Sequence, residues 1–174
     1  MTKNLFDLTV FFAFVLALAP PKVHADSPLK IALDKGTLEI RYAPMEKKYT
    51  YEVQKNPRCL AKIELKETGD KILLAHSSET CLSGHKILLT LNERLSAEVS
   101  LDAGVLEIKH PARTIQKLGR LKAEVDAGVI ETELQGLKAK RTDDYAGATL
   151  AYQTPGGTTL PTLALQVKAG VIEL

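Results

Sequence analysis

The chain has 174 residues, a formal net charge of +2, and a composition that is 45% apolar and 25% charged. This length suits one domain, and its charges alternate along the sequence, which leaves no basic stripe for nucleic acid and no polybasic patch for anionic lipid. The four phenylalanines are Phe6, Phe11, Phe12 and Phe14, and there is no tryptophan. Everything downstream must therefore build its core from Leu, Ile, Val and Ala, without the aromatic walls usual in a large ligand pocket.

The first segment reads as a secretory signal peptide. Lys3 is followed by an apolar run from Leu8 to Leu18, a break at Pro20 and Pro21, and the small-x-small site Val23-His24-Ala25. Residues 1–25 are expected to be removed, which leaves 26–174 as a single domain, exported to the periplasm or cell surface, with no membrane span.

Strand-like alternation starts at once. Leu29, Ile31 and Leu33 alternate with polar residues, and they open the phrase Ile31-Ala-Leu-Asp-Lys-Gly-Thr-Leu-Glu-Ile40. The phrase returns at 99–108, 123–132 and 165–174, always with glycine in the sixth place (Gly36, Gly104, Gly128, Gly170) and glutamate in the ninth. Before the glycine the apolar residues fall on odd places of the phrase, and after it on even ones. A period-two chain changes face only through a bulge or corner, and glycine tolerates the positive φ found there. These glycines are expected to be structural corners. The glutamates (Glu39, Glu107, Glu131, Glu173) are expected on the solvent side, either offset or interleaved with lysines such as Lys109 and Lys122, because stacked like charges destabilise a sheet. Asp34, Asp102 and Asp126 share the fourth place and read as turn caps; the last copy has Lys168 there.

Tyr49, Tyr51 and Val53 form a further alternating run, in which tyrosine (with Tyr42) reads as half-buried packing or a surface patch. After Asn56-Pro57, the turn Thr68-Gly69-Asp70 predicts a hairpin of Leu60–Lys66 with Lys71–His76. The hairpin brings Cys59 toward Cys81. In an exported chain this pair reads as a disulfide, stabilising by roughly 3 kcal/mol. The sharper alternative is a metal site of His76, Cys81 and His85, with Cys59 as a fourth ligand, although the spacing matches no familiar zinc module. Ser77, Ser78 and Ser83 flank the histidines without a nucleophile elbow, so no catalytic residue and no cofactor is expected.

Beyond the second phrase, Ile115 to Leu121 allows one short helical turn that Gly119 weakens. The stretch Lys138 to Asp144 and the turn Thr154-Pro155-Gly156-Gly157 read as an excursion before the last phrase. The fold class is all-β, either a β-solenoid-like stack or a two-sheet β-sandwich. With Leu174 ending the last phrase, Gln166 to Leu174 is expected to lie on a sheet edge open to strand addition.

The four phrases, with Ile87 to Leu95 leading into the second, resemble the bacterial "putative adhesin" family of unknown function over residues 29–174. Asn92 stands where that family usually has proline. The resemblance implies a right-handed β-solenoid-like fold outside the cytoplasm and no catalytic residues. From the long flat faces and open edge of such a stack, the expected function is a non-enzymatic, adhesin-like or scaffold contact with a protein or glycan of the cell envelope, with edge-strand self-association as one mode. The alternative is a periplasmic metal- or small-ligand-binding protein that uses the Cys59–His85 region.

Overall fold

A computed structural model describes residues 27–77, 84–142, 146–157 and 159–174. The expected signal peptide therefore lies outside the described residues, as do Cys81, Ser78 and Ser83. The chain forms strands β1 (Leu29–Ala43), β2 (Tyr49–Gln54), β3 (Ile63–Thr68), β4 (Lys71–His76), β5 (His85–Asn92) and β6 (Ala97–Ile108), then helix α1 (Pro111–Gln116). After the helix come β7 (Arg120–Glu131), β8 (Lys140–Arg141), β9 (Ala148–Gln153) and β10 (Thr162–Glu173). All ten strands join one mixed sheet in the order β2-β5-β1-β6-β10-β7-β9-β8, with β4 also on β1 and β3 on β4.

Each ten-residue phrase lies along one long strand, bent at its glycine, with only Thr132 and Leu174 falling one place beyond β7 and β10. The four long strands run parallel and in register, so Gly36 neighbours Gly104, Gly104 neighbours Gly170, and Gly170 neighbours Gly128. Their φ angles are 118°, 136°, 146° and 147° in that order. The column has no space for a side chain: a Cβ on Gly104 would lie 1.9 Å from the Gly36 carbonyl oxygen. Burial switches phase across the bend. In β1, Leu29, Ile31 and Leu33 are buried before Gly36, and Leu38 and Ile40 after it. Both sets belong to one aliphatic cluster, so the two halves of the bent sheet turn their apolar faces toward a shared core.

Several expectations need correction. A solenoid stacks its coils in chain order, whereas here β10 lies between β6 and β7; the observed architecture is a mixed sheet. β10 pairs on both sides, so Gln166–Leu174 is an interior strand and not an exposed edge. The edges among the described residues are β2, β3, β8 and the second half of β7. The helical turn begins earlier than expected, at Pro111, whose fixed φ suits a first helical position.

The glutamates are not offset. Glu39, Glu107, Glu173 and Glu131 are direct neighbours across four strands. Lys86 on β5, rather than Lys109 or Lys122, relieves the repulsion at one end: its Nζ is 2.7 Å from Glu39 and 3.3 Å from Glu107. Arg41 adds a 2.6 Å contact to Glu39. Glu39 is 2% exposed, so it is buried and not solvated. Burial pushes its carboxyl upward, but hydrogen bonds and charge from Lys86 and Arg41 outweigh this and hold it below the ordinary carboxylate value.

Candidate functional site: a buried cysteine–histidine cluster

The glycine bend in β1 also builds a site. The first half of β1 pairs with β4 and the second half with β5, with the change of neighbour at Gly36. The end of β4 and the start of β5 therefore meet beside the bend, which brings His76 and His85 together with ring centroids 5.2 Å apart. Gly36 is the residue paired with His85, and a Cβ there would lie 2.4 Å from the His85 carbonyl oxygen. The third member, Cys59, arrives on the loop between β2 and β3. That loop is shaped by Asn56: its carbonyl accepts from the Cys59 N–H at 2.9 Å, its Oδ1 accepts from the Arg58 N–H at 3.0 Å, and its Nδ2 donates to the Gly84 carbonyl at 3.2 Å.

One donor atom from each of Cys59, His76 and His85 lies within 4.8 Å of the others. Cys59 Sγ is 3.5 Å from His85 Nε2. The His76 side chain is fully shielded from solvent, and His85 and Cys59 are 3% and 7% exposed.

Hydrogen bonds assign the tautomers. His85 Nδ1 accepts from the Asn56 N–H at 3.0 Å, so the ring proton is on Nε2, which donates to the Ala61 carbonyl at 2.7 Å. His76 is the opposite tautomer: Nδ1–H donates to Asp34 Oδ1 at 2.8 Å, and Nε2 accepts from the His85 N–H at 3.2 Å. Asp34 grips the same histidine twice, because its Oδ2 accepts the His76 backbone N–H at 2.9 Å. Burial pushes the Asp34 carboxyl up, but the bonds from His76 and from the Lys35 N–H hold it below its ordinary value.

The structure revises the sequence reading of this region. The expected Cys59–Cys81 disulfide involves Cys81, which lies outside the described residues; no Sγ–Sγ pair occurs among the described residues, Cys59 is not a free thiol, and its sulfur lies 3.5 Å from His85 Nε2. Of the expected metal set, His76, His85 and the fourth ligand Cys59 come together, while Cys81 lies outside the described residues. Ser77 closes the hairpin through backbone and hydroxyl bonds to Lys62. Tyr42 and Tyr49 pack against the core, while Tyr51 is exposed.

Asp34 was hidden behind its repeat position. It looked like one of three equivalent caps, and only the proximity of β4 to β1 gives it His76. Asn56 and Ala61 carried no signal beyond a turn.

No protein-family profile matches the chain, and no curated protein matches it. Among solved structures, the chain is similar to a putative cell adhesion protein from Clostridium sporogenes, at 11% identity, covering 84% of this chain and 91% of that one, with a TM-score of 0.32. No helix of the described residues is long and apolar enough to cross a membrane.

Proposed function

We propose that this is an exported, non-enzymatic binding protein of the periplasm or cell surface, whose Cys59–His76–His85 cluster takes up a borderline or soft transition metal such as zinc or copper. One observation supports it above all: the 3.5 Å separation of Cys59 Sγ and His85 Nε2. That is about the edge of a tetrahedral site with metal–sulfur and metal–nitrogen bonds of roughly 2.3 and 2.0 Å. A thiolate with two imidazoles selects such metals over calcium or magnesium, which prefer oxygen ligands. The enclosure of both histidines supports holding a ligand rather than turning over a substrate.

His76 is already arranged for the task. A carboxylate on Nδ1–H leaves Nε2 as the donor, the usual outer-shell pattern of metal-bound histidine. His85 is arranged for the metal-free network. Binding through Nε2 would move its proton to Nδ1, which now faces the Asn56 N–H. Uptake thus exchanges the Ala61 and Asn56 bonds for a metal bond and shifts the Asn56–Ala61 turn.

The experiment is titration of the chemically reduced protein with Zn(II) and Co(II) against a competing chelator; reduction comes first because no described cysteine is a free thiol. The expected result is one equivalent bound, a thiolate-to-cobalt absorption band, and loss of both in Cys59→Ser, His76→Gln and His85→Gln. Uptake that survives His85→Gln, or no uptake by the reduced protein, would sink the reading.

A further inference from the structure

The opposite, outward face of the sheet carries a second feature, which goes beyond the metal reading and does not depend on it. Before the glycine bend, the residues not facing the core line an open trough of about 750 Å³. It crosses β3, β4, β1, β6, β10 and β7, and six strands at about 4.8 Å spacing make it roughly 24 Å long. Its central row runs Lys66, Leu73, Ala32, Ser100, Gln166, Glu124.

The floor is low and largely apolar. Ala32 and Ala164 lie between longer neighbours, and Leu73 is 42% exposed. Ser100 adds little polarity, because its hydroxyl turns back to the Ile31 carbonyl at 3.4 Å. Two ion pairs, Lys30–Glu98 at 3.2 Å and Lys122–Glu124 at 3.0 Å, tie long side chains down so that their methylenes border the trough. At the β3–β4 end the balance changes: Lys66 and Lys71 have no ion-pair partner among the described residues. Among the described residues, no aromatic ring lines the trough to offer a sugar face a stacking platform.

We propose that the trough binds a free single-chain anionic amphiphile, with the alkyl tail along Leu73, Ala32 and Ala164 and the acidic head between Lys66 and Lys71. Charge complementarity selects the head, and the floor selects the tail. A single lipid tail spans about 15 Å, half of a bilayer's hydrocarbon core, which fits the trough with its head at the lysine end. Binding at this face leaves the cysteine–histidine cluster untouched.

The test is calorimetric titration of the purified protein with dodecanoate, decanoate and dodecyltrimethylammonium below their micelle concentrations, alongside anionic phospholipid vesicles and an oligogalacturonate. Dodecanoate should bind, each methylene removed should weaken binding by about two- to fourfold, and the cationic chain should fail. Lys66→Ala with Lys71→Ala should weaken dodecanoate tenfold or more, and Leu73→Asp should abolish binding, while both variants keep the parent melting temperature and metal uptake. Equal binding of the cationic chain, no dependence on chain length, or binding of only the vesicles or only the oligosaccharide would each overturn the proposal.

Discussion

Lys168 Nζ lies 2.8 Å from Asp102 Oδ1, on the neighbouring bend of the sheet. The contact accounts for the one break in the repeat's fourth place. β10 lies between β6 and β7, which carry Asp102 and Asp126 there. An aspartate in the last copy would set three carboxylates side by side, whereas lysine alternates the signs. Both neighbours raise the Lys168 ammonium above its ordinary value, Asp102 first through a hydrogen bond.

Lys168→Asp should therefore lower the melting temperature. The loss should shrink as salt is raised to about 1 M, because exposed charges are screened within a few ångströms there. A salt-independent loss would show that the lysine acts through packing.

The glycine column allows a larger effect. Gly104→Ala places a methyl group 1.9 Å from the Gly36 carbonyl oxygen, at a φ of 136°. Neighbouring strands hold both backbones, so neither can give way. Chemical denaturation should show a loss of about 3 kcal/mol or more, whereas Gly69→Ala, at an open hairpin turn with nothing within 4 Å, should cost much less.

Glu39 supplies a pH-dependent term. Its carboxyl is held below the ordinary value, so its contribution is complete above about pH 4.5, the unfolded value, and is lost as pH falls through the lower folded value. Glu39→Gln should be less stable than the parent at neutral pH, with the gap closing only in acid below that point. Lys86→Ala should cost about 2 kcal/mol at neutral pH, less than the roughly 3 to 5 kcal/mol of an abandoned buried charge, because Arg41 remains on Glu39. Parallel acid titrations of parent and variants check both.

Asp34 should act on the cluster through His76. Asp34→Asn keeps the shape but weakens the hold on the Nδ1–H, and zinc affinity should fall by about 10- to 100-fold without loss of stoichiometry. Unchanged affinity in the chelator competition would make Asp34 a cap and nothing more.

Much of this was legible in the sequence. Period-two alternation marks the strands, and the switch of apolar phase at Gly36 and Gly104 marks the bends, because both follow from where a Cβ must point. The β3–β4 hairpin follows from the Gly69-Asp70 turn. The neighbour order of the long strands was not legible: the phrases are so alike that any order would satisfy the core, and only Lys168 hints that the last copy needs acidic neighbours. The burial of Glu39 was hidden because Lys86 comes from outside the repeat. His76 and His85 drew attention through their spacing. Cys59 was already among the candidate ligands, whereas Asp34 reaches His76 through the long-range pairing of β4 with β1, which no local pattern encodes.

The place of β10 also fixes an order of assembly. β6 and β7 do not touch as neighbours; each pairs with β10, which follows both in the chain. Until Thr162–Glu173 has been made, the two halves of the sheet present unpaired inner edges and a divided core. Completion of this sheet thus waits for Thr162–Glu173, and a chain interrupted before Thr162 exposes the inner edges that invite mispairing between molecules.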